Sequence, residues 1–141
     1  MLGETVFEKS PIPVLVKSLD ASMLRSRTIA NNIANVNTPG YQRVEVSFED
    51  ELRKALDQGQ LRGMQTNDKH LPLGKLDLSG LSPKVQKPVD PTLPGGVNNV
   101  DIDMEMAKLA ENQILYNFSA KFLKGQYNKL NAAIQAKDIQ T

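Results

Sequence analysis

The chain has 141 residues, with 17 basic against 16 acidic side chains and a formal net charge of +1. That balance argues against nucleic acid or anionic lipid as the main partner, because both are held by a basic field. The absence of cysteine excludes a disulfide framework and a thiolate metal site.

The opening residues, Met1-Leu2-Gly3-Glu4-Thr5-Val6-Phe7-Glu8-Lys9, lack a basic start, an apolar stretch and a small-residue cleavage site, so no cleaved secretory signal is expected. No apolar run approaches bilayer-spanning length, and the chain is not expected to be membrane-embedded. If it leaves the cytoplasm, its route does not read a standard signal peptide.

A first long helix is predicted over residues 10–37. Ser10 suits the N-cap and Pro11 the first helical position, where no amide donor is needed. Ile12, Leu15, Leu19, Ser22, Ser26, Ile29, Ile33 and Val36 alternate steps of three and four, a mostly apolar heptad seam that Ala30 and Ala34 widen. Asn35 and Asn37 tolerate left-handed geometry at the helix end, and Pro39 disfavours helix at Thr38. Thr38-Pro39-Gly40-Tyr41 then places Pro and Gly at the centre of a type II turn.

Residues 44–48 alternate as a short strand, and 49–56 read as a short amphipathic helix. Most of the eight prolines and nine glycines fall in 57–99, which predicts loops. Leu71-Pro72-Leu73 and Lys84-Val85-Gln86 are candidates for a small β-hairpin within them.

A second long helix starts near Asp101, with Asp101, Asp103 and Glu105 in a first turn where the helix dipole favours them. Met106, Leu109, Gln113, Tyr116, Ala120, Leu123, Tyr127, Leu130, Ile134 and Lys137 again step by three and four, and Ile114, Phe118 and Phe122 form an adjoining stripe. At ~1.5 Å per residue this helix reaches roughly 50 Å. The expected fold is mainly α: two long terminal helices paired as in a coiled coil, around a Pro/Gly-rich centre with room for a hairpin. The corresponding segments are 1–41, 42–99 and 100–141, with the two terminal helices forming one packed unit. Pairing the first helix only with the second leaves the second's adjoining stripe in water, which suggests further partner helices and terminal helices that firm up on assembly. Periodicity alone is equally compatible with a self-contained hairpin.

The stretch Ile29-Ala30-Asn31-Asn32-Ile33-Ala34-Asn35-Val36-Asn37-Thr38-Pro39-Gly40-Tyr41 resembles the N-terminal signature of the flagellar axial proteins, the family of rod, hook and hook-associated subunits. Thr66-Asn67-Asp68-Lys69-His70-Leu71 is similar to a Thr-x-x-x-His motif of that family. Asn98-Asn99-Val100-Asp101-Ile102-Asp103-Met104-Glu105, followed by Ala110-Glu111-Asn112 and Tyr116, resembles the C-terminal region of a basal-body rod protein. The short length resembles a proximal rod protein rather than the longer distal rod or hook proteins, with FlgC the nearest competitor.

The resemblance implies export through the flagellar type III apparatus and polymerisation into the rod that carries torque across the periplasm and encloses the export channel. It implies contacts with copies of itself, FlgC, FliE, distal rod proteins and the MS ring. It places Leu15, Leu19, Ile29, Ala30, Asn31, Asn32, Ile33, Ala34, Asn35, Val36 and Tyr41 at the assembly interface. From the second helix it adds Met106, Leu109, Ile114, Tyr116, Phe118, Leu123, Tyr127, Leu130 and Ile134, while Thr38, Pro39 and Gly40 make the turn. Asn31, Asn32 and Asn35 both donate and accept hydrogen bonds, which suits fixing the register of packed helices; the plainer reading is a solvated face with C-capping.

No catalytic, cofactor or metal site is expected. His70 is the only histidine and has no nucleophile beside it. Asp101, Asp103 and Glu105 lack the glycine turn and distal glutamate of a calcium loop, so helix capping is the expected role. Gly95-Gly96 is a turn, with no Lys-Ser/Thr to make it a phosphate loop. A cytoplasmic helical adaptor or export chaperone is the competing reading; it would share the heptads without needing the asparagine-rich signature.

Overall fold

The structure is a computed structural model that describes residues 10–60, 80–89 and 97–138. Its elements in chain order are α1 (Ile12–Ala34), β1 (Glu45–Ser47), α2 (Glu49–Gln60), β2 (Lys84–Gln86) and α3 (Ile102–Asp138). The mainly helical architecture, with long terminal helices packed on each other and a small two-stranded sheet between them in sequence, is the expected one.

At the start of α1 the Ser10 hydroxyl accepts the amide of Ile12 at 3.3 Å. That amide would otherwise be one of the donors a helix start leaves unpaired. The helix ends at Ala34, earlier than expected, and Asn35 closes it at φ −104°. Neither Asn35 nor Asn37 is left-handed. Among the described residues Gly40 alone has positive φ, at 71°, and the Tyr41 amide donates to the Thr38 carbonyl at 3.3 Å. Pro-Gly therefore makes the type II reversal, and the asparagines need no strained backbone to end the helix.

The strand segment narrows to Glu45–Ser47, and the helix after it runs on to Gln60. The small antiparallel sheet expected in the centre is present, with a different partner strand from the one expected. Lys84–Gln86 does form a strand, but it pairs antiparallel with β1, Val46 facing Val85. Leu71-Pro72-Leu73 lies outside the described residues, as do the Thr66 to Leu71 motif with His70, and Gly95-Gly96. The central segment also supplies core. Phe48 and Leu81 bury against Ala21 of α1, with Leu52 and Ala55 of α2 packed beside them.

α1 and α3 run antiparallel, as three cross-links show. The Ser18 and Ser119 hydroxyls lie 3.5 Å apart, Asn112 reaches Ser22 and Ser26, and Asn32 reaches Glu105. Along α1 the buried side runs through Ile12, Ser22 and Ile29, with Leu15, Leu19, Ser26 and Ile33 half-buried, as is Val36 just beyond the helix, so the expected seam faces inward. Ala30 and Ala34 are exposed and do not widen it.

The seam on α3 is rotated from the expected one. Leu109, Tyr116, Ala120, Leu123 and Leu130 are half-buried, but the fully buried positions are Glu105, Asn112 and Ser119, seven residues apart. Met106, Gln113, Tyr127 and Ile134 point outward instead. Polar side chains occupy these inner positions because α1 presents serines and a carboxamide opposite them. Small residues let the two backbones approach, and hydrogen bonds replace apolar contact.

Candidate functional site

The signature segment closes on the start of α3 through one buried carboxamide. Asn32 is 1% exposed. Its Nδ2 donates to the Val44 carbonyl at 2.7 Å and to Glu105 Oε2 at 3.0 Å. Its Oδ1 accepts the Val44 amide at 3.0 Å and the Tyr41 hydroxyl at 3.1 Å. The side chain thus pairs with Val44 as a neighbouring strand would, just before β1 begins, and spends its remaining capacity on Tyr41 and α3. A carboxamide has two donors and two acceptor sites, and all four are used.

Glu105 is equally buried. Its other oxygen, Oε1, lies 3.6 Å from Arg43, which also holds Glu45 at 3.0 Å. The expected capping role belongs to Asp101 alone: its Oδ1 accepts the amides of Asp103 at 2.9 Å and Met104 at 3.2 Å. Glu105 is an interior carboxyl group, paired and hydrogen-bonded as burial requires. Lys108 of α3 binds the other oxygen of Glu45, tying β1 to α3. Burial pushes the Glu45 carboxyl up, but the Lys108 hydrogen bond and the charges of Arg43, Lys108 and Arg25 outweigh it and hold the carboxyl below its ordinary range. Glu49 is lowered likewise: burial is outweighed by Arg25, whose Nη2 meets both carboxylate oxygens at 2.8 Å, and by backbone amides.

Two asparagines from the far side of the chain complete the closure. Asn98 Nδ2 lies 2.8–2.9 Å from the carbonyls of Asn35, Val36 and Thr38 in the turn that follows α1. Asn99 Oδ1 accepts the Arg43 amide at 2.6 Å. Asn35 works locally, donating to the Asn31 carbonyl at 2.8 Å and accepting the Thr38 hydroxyl at 3.1 Å. Asn31 is exposed. Of the three signature asparagines, only Asn32 spans the two helices.

Beside this lock a cleft of about 480 Å³ opens between α1, β1 and α3. On the outward side of α3, Ile114 is 69% exposed, Phe118 66% and Phe122 47%, and the two rings stack with centroids 6.1 Å apart. The residues expected at an assembly interface therefore divide. Ile29 and Asn32 are buried within the subunit, and Leu15, Leu19, Ile33, Asn35, Val36, Tyr41, Leu109, Tyr116, Leu123 and Leu130 are half-buried. Ala30, Asn31, Ala34, Met106, Ile114, Phe118, Tyr127 and Ile134 face out, with Thr38, Pro39 and Gly40 exposed at the turn.

Arg43, Glu105, Asn112 and the Asn98-Asn99 pair are site residues that the apolar periodicity missed. A signal was present for two of them, since Glu105, Asn112 and Ser119 repeat every seventh residue beside the half-buried Leu109, Tyr116 and Leu123. Nothing local marks Arg43.

Residues 21–42 match the family model described as "Flagella basal body rod protein". Over 134 residues the chain is 34% identical to the flagellar basal body rod protein FlgB of Borreliella burgdorferi, covering 92% of this chain and 98% of that relative. It is 32% identical over 120 residues to FlgB of Bacillus subtilis, covering 85% and 89% of the two chains. Against FlgB of Escherichia coli the identity is 30% over 125 residues, with the same coverage. The segment that matches the family model contains Arg25, Asn32, the Pro-Gly turn and Tyr41, the α1 side of the lock.

Proposed function

The chain belongs to the FlgB family of flagellar basal body rod proteins, and from that premise we propose how it is built into the rod. It is a structural rod subunit, and the family favours this over a cytoplasmic adaptor. In our reading it occupies the proximal rod, is exported through the flagellar type III apparatus, and helps form the shaft that carries torque across the periplasm and encloses the export channel. Its neighbours in that reading are its own copies, FlgC, FliE, the distal rod proteins and the MS ring.

One observation carries the assembly mode. α1 covers the polar side of α3, while Ile114, Phe118 and Phe122 stay in water. Contiguous apolar side chains of this size mark an interaction surface, and burying each contributes about 1.5–3 kcal/mol. Helices of neighbouring subunits cover this stripe, so the lock shapes the subunit and the stripe joins it to others.

The test is the double substitution Phe118→Gln with Phe122→Gln. Both rings lie outside the α1–α3 seam, so the stability of the isolated subunit should change by no more than about 0.5 kcal/mol per site. Recovery of the protein in purified basal bodies should fall sharply, and swimming with it. Normal incorporation of a stably folded variant would sink the proposed interface.

A further inference from the structure

The cleft between α1, β1 and α3 is lined by Glu45, Glu49, Asp50, Glu105 and Glu111 against only Arg25 and Lys108. Arg25 is spent on Glu49, and Lys108 on Glu45. Glu105 has Asn32 and Arg43. Among the described residues, no cation pairs with the other two carboxylates. Asp50 has only the Ser47 hydroxyl, at 3.3 Å, and Glu111 has no hydrogen bond or ion pair among the described residues. Asn112 also lines the cleft. Asn112 is 1% exposed, and its Nδ2 donates to the Ser22 carbonyl at 2.9 Å and to Ser26 Oγ at 2.8 Å. Its Oδ1 is buried with no donor among the described residues. The cleft therefore carries more carboxylate than cation, and the exposed Asp50 and Glu111 carboxylates are open to a cationic partner.

The complement lies on the same molecule, at the other end of α3. From residue 113 to 135 the charged side chains are Lys121, Lys124 and Lys129, with no acid among them. No described residue bonds to any of the three. At ~1.5 Å per residue they sit roughly 15–25 Å along the helix from Glu111 and Asn112, too far to fill the cleft of their own chain. We propose that the cleft receives a lysine of a second copy, presented by the distal half of its α3. The contact is head-to-tail: one copy gives its lysines and the next gives its cleft, so every copy keeps a free donor end and a free acceptor end. Such a heterologous contact propagates into an open helical filament rather than a closed dimer. It staggers successive copies along the α3 axis by roughly the same 15–25 Å. This rests on the rod reading and adds to it a specific polar contact, distinct from the Phe118 stripe.

Zero-length carbodiimide cross-linking of basal bodies isolated from cells that make the protein tests it, because only carboxylates touching an amine are joined. Mass spectrometry should find Asp50 or Glu111 joined to Lys121, Lys124 or Lys129 within species of at least twice the subunit mass. Linkage of these carboxylates to a lysine of a different rod protein, or no linkage although the chain is present, would overturn the proposal and leave the rod reading standing. Absence of the chain from basal bodies would overturn both. Charge reversal gives an independent readout. Asp50→Lys with Glu111→Lys, or Lys121→Glu with Lys124→Glu and Lys129→Glu, should each abolish swimming, and the two sets combined should restore it. Failure of the combination, with both single sets folded and exported, would count against the contact.

Discussion

Asn32 illustrates how a single side chain sets the relation of two helices a long way apart in sequence. It contacts Val44, Tyr41 and Glu105 from one buried position, and an isosteric change is enough to reverse its chemistry. In Asn32→Asp the two donated hydrogen bonds are lost, and a carboxylate is placed against the Glu105 carboxylate and the Val44 carbonyl. Arg43 already serves Glu105 and Glu45, so a second buried carboxylate at this point is strongly unfavourable. The substitution should destabilise the isolated protein by about 3 kcal/mol or more, read as a lower urea midpoint with an unchanged slope. Stability within error of the parent would mean that the carboxamide is not the register lock described here.

At the level of elements, β1 is joined to α3 by charge rather than by apolar packing, because Glu45 bridges Arg43 and Lys108. Its carboxyl titrates below the ordinary range in the folded chain, so the unfolded chain binds that proton more tightly. The stabilisation is therefore complete above the unfolded value, near pH 4.5, and disappears as pH falls through the lower folded value. Glu49 shifts in the same direction on the α1 side. Urea midpoints measured across this acid range should rise with pH for the parent protein and rise less steeply for Glu45→Gln. Identical slopes would show that the Lys108 contact does not persist in solution.

For the molecule as a whole, stability is uneven along the helix pair. The Asn32–Glu105 end has the lock and the Asn98 closure, and the Ala21, Phe48 and Leu81 core packs at the middle of α1, whereas the distal half of α3 has Ser119 and half-buried side chains such as Leu123 and Leu130. None of the described helices is long and apolar enough to cross a membrane. Hydrogen exchange of the dilute subunit should show slower amides near Glu105 than beyond Lys121. Both regions should gain protection in assembled rod, since local opening follows local contact density. Uniformly strong protection along both helices of the free subunit would contradict this.

The sequence alone determined where the helices lie, where the chain reverses and which family signature it carries, because these depend on near neighbours. A heptad alternation, a Pro-Gly pair and an asparagine-rich signature are all read within a few residues. The tertiary structure decided which side of α3 is inside, that Glu105 is interior rather than a surface cap, and that Lys84–Gln86 pairs with Glu45–Ser47. On a helix each residue turns the direction by about 100°, so Met106 and Glu105 compete for one seam, and hydrophobicity alone favours the methionine. The carboxylate is placed inside by Asn32 and Arg43, residues distant in the chain whose hydrogen bonds and charge offset its desolvation. That partnership exists only once the folded chain brings the three together.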